Sequence, residues 1–186
     1  MTLKEMKQKY LALIEELNPD SAQLTEDPDI AAKQNEVVNQ IMYELCRIKK
    51  IPKFVELAVS AGDRITFQDI EGECDYEIFQ LGNISGVAYD LRADGTLIRI
   101  KESGLAEIDC YVYPERITAT TPDSYEFELS ADVLEIMPYG IAADVLKSDA
   151  SAEYGSVYAA RYESMLQRLE QSYAVSSIYV EGGVMI

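Results

Sequence analysis

The stretch "AYDLRADGTLIRIK", residues 88–101, carries the clearest local fold signal in the chain. Asp94-Gly95 separates two short runs that are rich in apolar and β-branched residues. Glycine tolerates the positive φ that a tight hairpin turn requires. The pattern therefore predicts two antiparallel strands joined by a turn at Asp94-Gly95.

A twofold alternation of apolar and polar residues continues on both sides of this hairpin. Glycines punctuate the segments, as they do between short strands. The sequence therefore predicts a small antiparallel β-sandwich or barrel-like module of five or six strands over residues 55–122. The segments that carry the pattern are "RITFQDI" (64–70), "CDYEIFQL" (74–81), "SGVAYDL" (85–91), "TLIRIK" (96–101) and "AEIDCYVY" (106–113).

Helical patterns occupy residues 1–54, before the β module. Thr2 followed by Glu5 is a capping box, and apolar residues then recur at three- and four-residue steps as far as Leu17. Asp27 as N-cap with Pro28 at the first helical position opens a second helix. Residues 1–54 are therefore predicted to form two helices.

Two further helices are predicted in residues 123–172. Ser130 is positioned to cap the first of them, and Pro138 with Gly140 is expected to break or kink it. Ser151 is positioned to cap the last helix. The sequence therefore predicts an α+β protein: a four-helix bundle of two N-terminal and two C-terminal helices, an inserted β module, and an extended C-terminal tail over residues 173–186.

The tail contains "SSIYVEGGVMI", residues 176–186, which is apolar nearly throughout. Such a segment gains little by staying in water, so we expect it to dock as a strand on a neighbouring subunit or another partner. The alternative is that it folds back as an extra strand on its own β module. The predicted partner-binding residues are Tyr173, Ile178, Tyr179, Val180, Val184, Met185 and Ile186.

Charge restricts the possible partners. The chain has 16 basic and 33 acidic residues, a net charge of −17, and a pI near 4.3. Such a surface repels phosphate groups, which disfavours ordinary DNA or RNA binding. Three explanations remain open: a surface along which DNA slides without sticking, an imitation of DNA that occupies a DNA-binding partner, and a surface that only confers solubility.

Residues for catalysis are scarce. The chain has no histidine, which removes the commonest general base and the usual catalytic triads and zinc sites. No nucleotide-binding glycine motif or nucleophile-elbow motif is present. A carboxylate pair for glycoside cleavage cannot be distinguished. The sequence therefore predicts no enzyme activity, no catalytic residue and no cofactor.

The strongest metal candidate is "DIEGECD", with acids at alternate positions. Side chains two residues apart on a strand share a face, so four carboxylates could converge on a hard cation such as calcium. We favour the alternative, a solvated strand face and turn, and predict no metal. The four residues are Asp69, Glu71, Glu73 and Asp75.

Cysteine usage and hydropathy indicate the compartment. Cys46, Cys74 and Cys110 are widely separated and show no C-x-x-C spacing, so we expect buried free thiols. No run of eighteen apolar residues occurs, and residues 1–10 lack the apolar region of a signal peptide. The protein is expected to be made in the cytosol.

Residues 110–169, "CYVYPERITATTPDSYEFELSADVLEIMPYGIAADVLKSDASAEYGSVYAARYESMLQRL", resemble the C-terminal half of head-to-tail connector (adaptor) proteins of tailed bacteriophages. The resemblance lies in Tyr111 and Tyr113 ahead of Pro114, an acidic linker, the helix around "MPYGIAADVL", and the closing helix from Tyr154. This chain departs from the all-helical members in its longer β module and in its extended tail.

The resemblance implies a structural virion protein that is not an enzyme. Such adaptors form a ring, expected to be dodecameric, beneath the portal protein at the capsid vertex. The ring extends the DNA channel, lets DNA pass without specific binding, and presents a surface to the stopper or tail. The implied location is the head–tail junction, after synthesis in the host bacterial cytoplasm. An acidic DNA-mimicking inhibitor is the alternative function.

Overall fold

The computed structural model describes residues 1–92, 97–147 and 152–176. The chain forms two compact units, one made of Met1–Lys49 with the segment from Arg116 onward, the other of Lys50–Glu115. The helices of the described residues are α1 (Leu3–Leu13), α2 (Pro28–Ile48), α3 (Phe67–Cys74), α4 (Ala131–Leu146) and α5 (Ala152–Ser176). The strands are β1 (Ile51–Val59), β2 (Arg64–Thr66), β3 (Ile78–Ser85), β4 (Tyr89–Leu91), β5 (Leu97–Ile100) and β6 (Gly104–Val112).

The starts of α1 and α2 follow the predicted caps. The Glu5 N–H donates to Thr2 Oγ1 at 3.2 Å, and the Thr2 N–H donates to Glu5 Oε2 at 2.8 Å. At α2, Asp27 Oδ1 accepts hydrogen bonds from the N–H groups of Asp29 and Ile30. These bonds satisfy backbone donors that have no partner within the helix. Both predicted helix starts are confirmed.

Helix α4 is the centre of the helical unit. It is apolar on nearly all sides, and α1, α2 and α5 each pack against it. The helix continues through Pro138 and Gly140, so of the predicted break or kink the break is wrong. Proline removes one backbone hydrogen bond, and burial of the surrounding side chains offsets that loss. The buried residues of α4 include Val133, Leu134, Ile136, Met137, Ile141, Ala142, Val145 and Leu146.

The predicted four-helix bundle is wrong. In a bundle each helix turns one apolar stripe toward a shared core and packs beside two neighbours. Here the closest backbone packing between helices runs through α4, which α1, α2 and α5 each approach. The described residues also form a fifth helix, α3, and two small antiparallel sheets. The protein is a mixed α+β protein in which three helices surround a fourth.

The second unit contains two three-stranded antiparallel sheets, in the orders β1-β6-β3 and β2-β5-β4. Hairpin β4–β5 pairs as predicted, with Tyr89 opposite Ile100 and Leu91 opposite Ile98. Its predicted turn at Asp94-Gly95 lies outside the described residues. The chain passes between the sheets by short connections three times, from β1 to β2, from β3 to β4 and from β5 to β6.

Two elements of this unit were not predicted. "FQDIEGEC" is the helix α3 rather than a strand, because Thr66 and Asp69 form a capping box that starts it. Strand β1, "IPKFVELAV", pairs along its whole length with β6. Its Pro52 is tolerated because β1 is an edge strand of its sheet.

Candidate partner-binding cleft

A cleft opens on the helical unit where α1 ends and α5 begins. It encloses about 380 Å³. Aliphatic side chains, two tyrosines and two glutamates line it. These residues are Leu13, Ile14, Glu15, Glu16, Ile30, Leu146, Tyr154 and Tyr158.

The end of α1 shapes one wall of the cleft. Glu15 has a φ of 61°, in the left-handed region, and its N–H donates to Ala12 O at 3.3 Å. The Glu16 N–H donates to Leu11 O at 2.9 Å. These two hydrogen bonds form a Schellman motif, in which the left-handed residue is usually glycine. A glutamate at this position therefore carries backbone strain. Strained residues concentrate at functional sites, which supports a binding role for this wall.

The first turns of α5 shape the opposite wall. Gly155 lets α5 approach α4 closely, since a Cβ built there would lie 3.2 Å from Leu146 Cβ. The Tyr158 hydroxyl donates to Leu13 O and so joins α5 to the end of α1. Tyr154 remains 71% exposed and Val157 64% exposed. The cleft thus has an exposed aromatic and an exposed aliphatic residue beside it.

Residue spacing alone misplaces Tyr154. Tyr154, Tyr158 and Tyr162 recur at four-residue steps, which predicts one apolar face of the helix, whereas the buried face of α5 begins at Gly155 and reaches Leu169. The signal that could have found this is Gly155 itself, because a glycine inside a helix often marks close approach to a neighbouring helix. Tyr154 therefore lies next to the buried face of α5 and is exposed to solvent.

The cleft offers contacts for noncovalent binding. Its aliphatic side chains would accept an apolar group, and Glu15 and Glu16 favour a neighbouring basic or neutral polar group. Noncovalent recognition of a partner is the function that this geometry supports.

The four acids of "DIEGECD" do not converge. On α3, residues two apart are about 200° apart around the helix axis, so they face opposite sides. The Asp69 carboxylate accepts a hydrogen bond from the Thr66 N–H at 2.7 Å, and Glu71 Oε1 accepts from the Ile78 N–H at 2.8 Å. Glu73 lies on the last turn of α3, and Asp75 is its left-handed C-cap. Among the described residues no group of three or more His, Cys, Asp or Glu could hold a metal ion.

The predicted tail residues are not placed by the structure. Ile178, Tyr179, Val180, Val184, Met185 and Ile186 lie outside the described residues. The backbone of Tyr173 belongs to the last turns of α5, but its side chain is not among the described ones. Ser151, the predicted cap of α5, falls in the gap before that helix.

A comparison with models of known protein families finds no match, and a comparison with curated proteins finds no relative. The phage-connector resemblance therefore stays a prediction from residues 110–169. In the part of the chain that the structure describes, no helix has the length and apolarity needed to span a membrane.

Proposed function

We propose that the chain is a structural virion protein, a head-to-tail connector that forms a ring beneath a portal protein and joins the capsid to a stopper or tail. The observation that carries this proposal is the cleft at the start of α5, with Tyr154 and Val157 exposed beside it. Three of its lining residues, Leu146, Tyr154 and Tyr158, lie within the residues that resemble phage connectors. A connector needs such partner surfaces and no catalytic centre.

The net charge of −17 supports a channel role. In a ring, acids on the surface that faces the axis repel the DNA phosphates and let DNA slide through. The side-to-side faces would then carry mixed charge. An even scatter of acids over the assembled ring would leave only the solubility explanation.

The apolar tail is the proposed occupant of a partner surface. On the proposed function, Ile178, Tyr179 and Val180 dock on a neighbouring copy or on the portal.

Deleting residues 174–186 and substituting Tyr154→Ser test this proposal. Both changes should abolish binding to portal rings and ring formation, measured by co-sedimentation, while the melting temperature stays unchanged. Leu91→Ser, which removes an exposed apolar residue from the other unit, is the matched control and should bind normally.

Two results would contradict the proposal. A deletion variant that melts at a lower temperature yet assembles normally would show that the tail folds back on its own chain. A full-length chain that ignores the portal and binds a DNA-binding protein as a monomer or dimer would favour the DNA-mimicking inhibitor.

A further inference from the structure

The outer face of sheet β1-β6-β3 is acidic and partly apolar. Glu56 on β1 lies directly opposite Glu107 on β6, and Phe54 lies opposite Asp109. Phe54 is 57% exposed, and Leu105, farther along β6, is 50% exposed. No charged residue of this face forms an ion pair within the described part of the chain. We call these five residues the acidic face.

The outer face of the other sheet, β2-β5-β4, is basic. Arg64 on β2 lies directly opposite Arg99 on β5, and both side chains are exposed. Asp90 on β4 is the other cross-strand neighbour of Arg99, but Lys101 Nζ lies 2.5 Å from its carboxylate. Neither arginine forms an ion pair with a described residue. We call Arg64 and Arg99 the arginine pair.

Both faces place like charges directly opposite each other. Such cross-strand pairs are destabilising, because their Cβ atoms lie only about 5 Å apart. The buried residues beside them, such as Ile65 opposite Ile98, fix the strand register, so the like charges cannot separate by sliding. Opposite charges from another molecule would offset the repulsion within each like-charged pair.

We propose that the acidic face of one copy docks on the arginine pair of a second copy. The charges are complementary, and Phe54 and Leu105 would provide the apolar centre that a contact between copies needs. Because the two faces are different surfaces of one chain, the contact can form head to tail and repeat from copy to copy into a ring or a filament, or form reciprocally in a closed dimer. The inference concerns the free protein and requires no portal.

Charge exchange between two variants tests the contact. Glu56→Lys with Glu107→Lys makes both faces basic, and Arg64→Glu with Arg99→Glu makes both faces acidic. Each double variant alone should lose self-association by about tenfold or more in the association constant, because like charges now meet. An equimolar mixture of the two should regain association, since each face again meets its opposite charge. Sedimentation equilibrium of the full chain measures this, in about 0.15 M salt, where remote charges are screened beyond about 8 Å.

The controls change net charge by the same amount on α5. Glu163→Lys with Glu170→Lys, and Arg161→Glu with Arg168→Glu, alter exposed residues of that helix and should leave association as in the unaltered chain. The inference is overturned if the unaltered chain stays monomeric up to its solubility limit, if mixing restores nothing, or if the controls lose association equally. If the full chain binds portal rings but fails this test, the contact between the acidic face and the arginine pair is refuted, and the connector proposal is unaffected.

Discussion

Gly140 of α4 packs against the ring of Tyr162 of α5, so closely that a Cβ built at position 140 would lie 2.8 Å from Tyr162 Cε2. The same Cβ would lie 3.1 Å from Cγ2 of Ile41 on α2. Two helices therefore meet α4 at one point where no side chain fits. Glycine is used here for close approach, although it lowers helix propensity.

Gly140→Ala should destabilise the protein by about 1 to 3 kcal/mol, because overpacking outweighs the gain of about 1 kcal/mol in helix propensity. Gly72→Ala is the matched control inside α3, where a Cβ would meet nothing within 4 Å. It should stabilise by up to about 1 kcal/mol. Urea unfolding followed by circular dichroism measures both. Stabilisation by both substitutions would show that the helices can separate at no cost.

Asn39 joins α2 to the segment that leads out of the β module. Its side chain is buried, Nδ2 donates to Ile117 O, and the Ile117 N–H donates to Oδ1, both at 2.8 Å. Asn39→Leu should cost about 2 to 4 kcal/mol, because both backbone groups of Ile117 lose their partners. Asn35→Leu, one turn earlier, removes a single 3.2 Å bond to Thr118 O and should cost less. Equal costs in urea unfolding would contradict this assignment.

Local signals predicted the helix starts and the hairpin, since each rests on residues near one another in the chain. Thr2 with Glu5, Asp27 with Pro28, and Asp94-Gly95 are of this kind. The segment of α3 also carries a local signal, the capping box of Thr66 and Asp69, but its alternating acids favour a strand instead.

The central position of α4 could not be predicted from periodicity. A helix that is apolar all round has no single stripe to indicate its partners, and Pro138 argued for a break that tertiary burial overrides. Tyr154 is exposed because the close contact at Gly155 turns a different face of α5 toward α4. These features are set by packing between distant segments.

Burial of two thiols predicts how stability depends on pH. Burial raises the pKa of the Cys46 thiol to about 12 and, together with the nearby Cys74, that of Cys110 to about 11. In the unfolded chain these thiols ionise near pH 9, so above that pH the unfolded state loses protons that the folded state keeps. The free energy of unfolding should therefore fall as pH rises from about 9 toward 12.

Cys46→Ala tests this dependence. The variant should lose part of the slope of unfolding free energy against pH above pH 9, whatever its stability at pH 7. Thiol labelling of the unaltered protein gives a second measure, because the half-buried Cys74 should react before the buried Cys46. An unchanged slope, together with rapid labelling of Cys46, would show that this thiol is accessible in the folded state.

Native mass spectrometry of the full chain mixed with portal rings tests the connector role most directly. The proposed function predicts a complex whose mass equals one portal ring plus a complete ring of this chain, with twelve copies if the ring is dodecameric as the resemblance implies. It also predicts that removal of residues 174–186 eliminates the complex. Portal rings that keep their own mass in the presence of excess full-length chain would contradict the proposed function.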